Sequence, residues 1–158
     1  SDIEKIPVKD NSFDVIICTE VLEHVPNPIG ALKEMARILK NGGKLLITTP
    51  LGSHIHQDPY HFYGGFTPFF YEKYLNEFSF NQISVVPNGG FYSFYFQESL
   101  RLINLSRKSP ILLLFLAFSL PFLIPFNFLM FLFRKILDKS LNDSKYTVGY
   151  HIVAIKNY

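Results

Sequence analysis

The chain reads as an α/β protein built on a partial, mostly parallel sheet, with an apolar helical hairpin inserted before the last strand. Three observations predict this. Val15 to Cys18 is continuously apolar, and polar residues begin only at its carboxyl end, as in a parallel strand covered on both faces. Phe13 to Thr49 has the length and pattern of a complete βαβ unit, for which a right-handed crossover is the default. Finally, Ile111 to Phe133 carries no charge and holds seven of the 17 Phe, yet Ile152 to Ile155 beyond it is again a strand-like run.

The elements follow in order. After the opening strand, Asn27-Pro28 supplies an N-cap and a proline at the first helical position, and Ile29, Leu32, Met35, Ala36 and Leu39 recur at helical spacing. Asn41-Gly42-Gly43 ends that helix, and Lys44 to Thr49 is a second apolar strand stopped by Pro50. Leu51 to Phe66 has three His and no periodicity, which predicts an ordered lid beyond the carboxyl end of the second strand. Thr67-Pro68 repeats the cap-and-proline signal for a helix to about Phe78, and Asn81 to Pro87 reads as a third strand. Gly89-Gly90 breaks it, a helix to about Arg107 follows, and Val148 to Lys156 is the final strand.

Composition narrows the function. A hydrophobic content of 48% suffices for a core, while a net charge of +2, scattered along the chain, lacks the dense basic face of a nucleic-acid binder. Cys18 is the single cysteine, so a disulfide framework and a thiolate zinc site are excluded, and a reducing cytoplasmic setting is expected. Ser1 to Asp14 is polar and carries no export signal.

Ligands in open α/β sheets bind at the carboxyl ends of strands, which directs attention to Phe13-Asp14-Val15-Ile16-Ile17-Cys18-Thr19-Glu20-Val21-Leu22-Glu23-His24-Val25. If a helix begins here, Glu20, Glu23 and His24 share one face at i, i+3 and i+4. The simplest account is that the carboxylates favour a positive helix N-terminus and His24 packs locally; no metal site is assigned. Cys18 is either pocket wall or a small buried hydrophobe, and His151 is structural.

Phe13-Asp14-Val15-Ile16 leading to Glu20-Val21-Leu22-Glu23-His24-Val25, then Leu39 to Ile47 with Asn41-Gly42-Gly43, then Thr49-Pro50, together resemble the C-terminal half of a class I S-adenosylmethionine-dependent methyltransferase of the small-molecule, ubiquinone-biosynthesis-like group. Asp58-Pro59-Tyr60-His61-Phe62-Tyr63 with Phe66-Thr67-Pro68 also looks like the lid of family members from envelope and sugar biosynthesis. The resemblance implies a Rossmann-like sheet and S-adenosylmethionine as cofactor. It implies that Asp2, with Ile3, meets the adenine, and that Cys18, Thr19 and Glu20 line the methionine end. It also implies that some relatives use the Glu20, Glu23 and His24 spacing, completed by a later histidine such as His54, His56 or His61, for a divalent ion. The chain departs from the family in lacking a glycine-rich strand-turn-helix. It is therefore expected to be a fragment, inactive on its own, with no catalytic residue assignable.

Twenty-three uncharged residues would span about 35 Å as a helix, enough for a bilayer core of about 30 Å. Pro121 and Pro125 interrupt the middle, and Arg107 and Lys108 before and Arg134 and Lys135 after put basic residues at both ends. These features predict two short helices, about 111 to 120 and 126 to 137, dipping into one leaflet from the cytoplasmic face. The expected organisation is a partial methyltransferase domain over 1–109, the hairpin over 110–137 and the returning strand over 138–158. A hydrophobic cap or dimer interface is the other reading of the hairpin. An anchor beside the lid suits a small-molecule or lipid-linked acceptor methylated on oxygen, with no nucleic acid involved. The rival function is a non-enzymatic membrane-associated remnant or half-domain that pairs with another chain.

Overall fold

The computed structural model describes residues 2–106, 109–141 and 145–158. Arg107 and Lys108, two of the basic residues flanking the apolar segment, and Ser1 lie outside the described residues. The chain divides into two units, Ser1–Asn88 with Gly149–Tyr158, and Gly89–Val148.

The first unit is a four-stranded sheet with helices. Its elements are β1 (Phe13–Thr19), a 3-10 turn (Leu22–His24), α1 (Pro28–Ile38), β2 (Leu39–Pro50), α2 (Pro68–Glu77), β3 (Phe80–Pro87) and, from the far end of the chain, β4 (Gly149–Lys156). Asn27 caps α1 as its sequence requires: the side-chain oxygen accepts from the Gly30 amide at 3.0 Å, with Pro28 at the first helical position.

The strand order is β1-β2-β4-β3. Only β1 and β2 are parallel neighbours; β4 runs antiparallel to β2 on one side and to β3 on the other. The sheet is therefore mixed rather than mostly parallel. The physical reason is that β4 enters between two strands that already point the same way, and a strand running back between them satisfies both ladders.

One core serves this unit. Leu45 and Ile47 of β2 and Tyr150, Ile152 and Ala154 of β4 alternate inward against Ala31, Leu32 and Met35 of α1 and Tyr71 and Leu75 of α2. The β1 run departs from its expected two-sided burial: Cys18 is buried, but Val15 is 50% and Ile17 69% exposed. Ile17 stands in register with Leu46, which stands in register with Val153, so an apolar row crosses the sheet face opposite the core. A continuous apolar run satisfies either arrangement, which is why the pattern alone could not count the covered faces.

Two local breaks also differ. Asn41-Gly42-Gly43 does not end α1, which stops at Ile38; these residues form a bulge inside β2, where Phe13 pairs with Leu39 but Val15 with Lys44. Gly42, at φ +73°, supplies the left-handed residue there. The segment after β1 forms only a single 3-10 turn, so Glu20, Glu23 and His24 do not share a helical face.

In the second unit, α3 (Phe91–Ser106) packs against α4 (Pro110–Leu141). The expected hairpin hinged at the prolines is not present. α4 is one continuous 32-residue helix with Pro121 and Pro125 inside it, and the helical pair begins at Gly89 rather than at residue 110. Each proline removes one backbone donor, but so long a helix keeps its remaining bonds, and Asn127 Nδ2 donates to the Leu123 carbonyl at 2.9 Å nearby. The pair is stapled by Asp138, whose carboxylate accepts from the Tyr92 amide at 2.8 Å and the Ser93 hydroxyl at 2.5 Å near the start of α3. Arg134 lies over the rings of Phe96 and Phe131, and Ser99 donates to Asn127.

Two interactions in the first unit generate tests. The Tyr71 hydroxyl and Thr49 hydroxyl are buried and hydrogen-bonded to each other; Tyr71→Phe leaves Thr49 without that partner and is expected to lower stability by about 1–2 kcal/mol in a urea titration. Arg37 holds the N-terminal loop by donating to the Ile6 and Val8 carbonyls, to Asp10 and to both Glu34 oxygens. The hydrogen bond from Arg37, then the Ile6 amide, outweigh burial and hold the Glu34 carboxyl down to about 2. A depressed carboxyl contributes stability that is complete above its ordinary pKa of about 4.3 and is lost as pH falls toward 2. Thermal melts of Glu34→Gln are expected to lose that part of the acid dependence.

Candidate active site at the carboxyl ends of the sheet

The parallel pair ends at Thr19 and Thr48, which are in register. Directly beyond, Glu20 adopts φ +52°, a left-handed conformation that costs a non-glycine residue of the order of 1 kcal/mol or more and is concentrated at functional turns. Two bonds hold it: the Glu20 amide donates to the Thr48 carbonyl at 2.9 Å, and the Thr48 hydroxyl donates to Glu20 Oε1 at 3.0 Å. Thr19 and Glu20 are exposed, so the strand tip presents a hydroxyl and a carboxylate to solvent.

Beneath the tip, Cys18 is buried, and desolvation followed by the charge of Glu23 pushes its thiol up to about 12. Cys18 is thus a neutral wall, neither nucleophile nor thiolate ligand. Glu23 is fully buried in the 3-10 turn, and neither carboxylate oxygen has a hydrogen-bond partner. Burial is the main cause that pushes its carboxyl up, with the Glu20 charge adding and His24 and His56 opposing. The sequence spacing put Glu20 and Glu23 side by side. The turn separates them into one exposed and one buried group.

The lid docks on the same turn. The Phe62 and Tyr63 amides both donate to the Glu23 carbonyl, at 2.9 and 3.2 Å. Gly65 closes the loop at φ +142°, where a Cβ would lie 2.2 Å from the Pro50 carbonyl oxygen, and the Phe66 amide donates to that oxygen at 3.2 Å. This docking brings His24 of the turn against His56 and His61 of the lid, with ring centroids 4.6 to 5.5 Å apart. Desolvation, then the neighbouring His56, His24 and His54, lowers the pKa of His61. Sequence spacing named these histidines as candidates to follow Glu20 and Glu23, but their convergence on one another depends on where the lid lands.

Asp2 and Ile3 stand apart from the strand tip. Asp2 Oδ1 accepts from the Glu4 amide at 3.0 Å, and Asp2 lines a shallow cavity of about 610 Å³ with Ile6, Val8, Glu34 and Arg37. Ile3 packs on the core. Cys18, Thr19 and Glu20 therefore form one group and Asp2 with Ile3 another.

Residues 1–47 match the family model described as a methyltransferase domain. An uncharacterized protein of Methanocaldococcus jannaschii is 53% identical over 47 residues, 30% of this chain and 20% of its own length. A ubiquinone biosynthesis O-methyltransferase of Xanthomonas oryzae pv. oryzae is 53% identical over 38 residues, 24% of this chain and 16% of that protein. The chain thus matches a fifth or less of the length of these curated relatives. In fold, it superimposes on Haemonchus contortus phosphoethanolamine N-methyltransferase 2, solved with S-adenosyl-L-methionine, with a TM-score of 0.55, 16% identity and coverage of 99% of this chain and 36% of that one. Over residues 1–47 the chain is thus similar in sequence to a methyltransferase domain, and its architecture is similar to that of Rossmann-like methyltransferases.

Proposed function

We propose that this chain contributes to S-adenosylmethionine-dependent O-methylation of a small or amphipathic acceptor at the cytoplasmic surface of a membrane. The observation that carries the reading is the β1 tip, where an exposed hydroxyl and a carboxylate clamped to β2 lie within the matched sequence segment. When bound, the cofactor supplies an electrophilic methyl group on a sulfonium. The residues present fit its two ends. Glu20 spends one carboxylate oxygen on Thr48 and keeps the other for an ammonium group. Asp2 spends Oδ1 on Glu4 and keeps Oδ2 for an exocyclic amine, beside the Ile3 amide. Cys18, held protonated, excludes water and offers no competing nucleophile for the methyl group.

What remains for the protein is positioning, since an acceptor held in line with the methyl carbon gains most of the available acceleration from proximity. The docked lid supplies one wall of such a site. No glycine-rich strand-turn-helix occurs in the sequence, so the chain by itself is expected to bind the cofactor weakly and to be inactive without a completing segment.

The membrane part of the reading rests on α4. It is long and apolar enough to cross a bilayer, with only 6% of its most apolar window buried, and Phe115, Phe118 and Phe122 are each more than 70% exposed. Such a surface is costly in water and favourable against acyl chains. A ubiquinone biosynthesis O-methyltransferase among the relatives makes an apolar oxygen acceptor a natural choice.

Two experiments test the proposal. Calorimetric titration of S-adenosylhomocysteine is expected to give binding in a form of the protein extended upstream, weakened about tenfold by Asp2→Asn, corresponding to about 1.4 kcal/mol for one hydrogen bond to an amine. Absence of binding in the extended form would favour the non-enzymatic half-domain. In liposome flotation, the intact chain is expected to float, and a variant lacking residues 111–133 to stay in the soluble fraction; equal flotation would exclude α4 as the anchor.

A further inference from the structure

Within the helical unit, α3 and α4 do not close completely on each other. Leu116, Leu120, Leu123 and Asn127, at helical spacing on one face of α4, line a cavity of about 190 Å³ together with Ser99 and Leu100 of α3. Pro121 and Pro125 fall outside this stripe and are exposed. Leu116 is buried and Leu120, Leu123 and Asn127 are half-buried, while Leu100 and Ile124 at the rim are exposed. The cavity therefore continues into the outward apolar surface of α4. An apolar cavity of about 150 Å³ stays dry and accepts benzene, so this one has room for a short length of hydrocarbon.

One polar side chain interrupts the leucine wall with a donor to spare. Asn127 Nδ2 donates to the Leu123 carbonyl at 2.9 Å, and Asn127 Oδ1 accepts from the Ser99 hydroxyl. A carbonyl only accepts, which fixes the amide with its nitrogen toward Leu123. An amide nitrogen carries two hydrogens, and among the described residues only the Leu123 carbonyl takes one. In an apolar medium the second is costly to leave unpaired. A plain hydrocarbon would leave it so; a chain that carries a carbonyl would not.

Depth along α4 indicates which carbonyl. Arg134 lies seven residues beyond Asn127, about 10 Å of helix. With Arg134 and Lys135 among headgroups, a layer about 6 Å thick, Asn127 comes to the hydrocarbon boundary, the level of the glycerol esters. On α3, Glu98 and Arg101 are paired at 2.7 Å on either side of Ser99, placing at this level charge that an acyl interior disfavours.

We propose, resting on the reading of α4 as a membrane anchor, that this cavity holds the upper part of one acyl chain of a glycerol ester lipid, its ester carbonyl accepting from Asn127 Nδ2. One lipid is thereby held in a fixed place, unlike the interchangeable chains that meet Phe115, Phe118 and Phe122 on the outer face.

The test uses the intact chain in vesicles of dialkyl ether phosphatidylcholine, which lacks ester carbonyls. A trace of diacyl phosphatidylcholine carries a diazirine near the ester end of one chain, and after irradiation the adducts are mapped to residues by peptide mass spectrometry. Adducts are expected on Leu116, Leu120 and Leu123 as well as on the outward Phe115, Phe118 and Phe122. Replacing part of the ether host with unlabelled diacyl lipid is expected to displace the first set and not the second. Asn127→Leu lowers the first set about 3- to 10-fold, as the loss of one hydrogen bond would. Leu120→Phe, which fills the cavity, removes the adducts on Leu116 and leaves those on Phe118 unchanged. Adducts on the outward rings alone, or wall adducts undiminished by the diacyl competitor or by Asn127→Leu, would overturn the proposal and leave α4 standing as an anchor. Adducts on neither set would overturn the anchor as well, so the two failures are distinguishable.

Discussion

β4 arrives from the far end of the chain and fills the gap between β2 and β3, and the first unit depends on that insertion. It pairs on both sides along nearly its whole length and delivers Tyr150, Ile152 and Ala154 to the core. Without it, β2 and β3 would each present an unpaired ladder, a costly state for buried backbone groups. Lys156 extends the tie by donating to the Leu39 carbonyl at the start of β2 and to Asn11. At the other end, the Asn88 amide donates to the Gly149 carbonyl, so the segment between them leaves and re-enters the sheet at one point. Any span between Gly89 and Val148 is tolerable to the sheet as long as its two ends remain together, which explains how so unusual an insertion is accommodated.

The tip of β1 combines strain with desolvation. Glu20 is held in the left-handed region by paired bonds to Thr48, and the next turn buries Glu23 without a donor. Beside them, burial keeps the Cys18 thiol protonated. A fold retains such locally unfavourable choices only where the surroundings over-determine them. Here the surroundings are the β1–β2 ladder below and the lid above.

The second unit follows different rules. Its helices are joined by a few polar and cationic contacts, Asp138 with Tyr92 and Ser93, Ser99 with Asn127, and Arg134 with two Phe rings, while its apolar side chains remain largely outward. In a medium of acyl chains, polar contacts of this kind orient helices, because apolar burial between them gains little there.

The sequence by itself determined the local elements, because they follow from short-range chemistry. Asn27-Pro28 is the start of α1, the apolar runs Val15 to Cys18 and Ile152 to Ile155 are strands, and the β1 tip lies in the segment that resembles a methyltransferase domain. Tertiary structure decided what depends on partners distant along the chain. An apolar run reads alike in a parallel or antiparallel ladder and with one face covered or two, so the direction of β4 and the exposure of Ile17 were settled only by packing. Gly42-Gly43 became a bulge because β1 pairs across it, and Pro121 and Pro125 sit inside one helix because α3, not the second half of α4, supplies the packing partner. The spacing of Glu20, Glu23 and His24 implied one face only if the segment were a helix. The chain folds it instead as a single 3-10 turn, and the lid, 36 residues on in the case of Tyr60 and His24, supplies the groups that meet there.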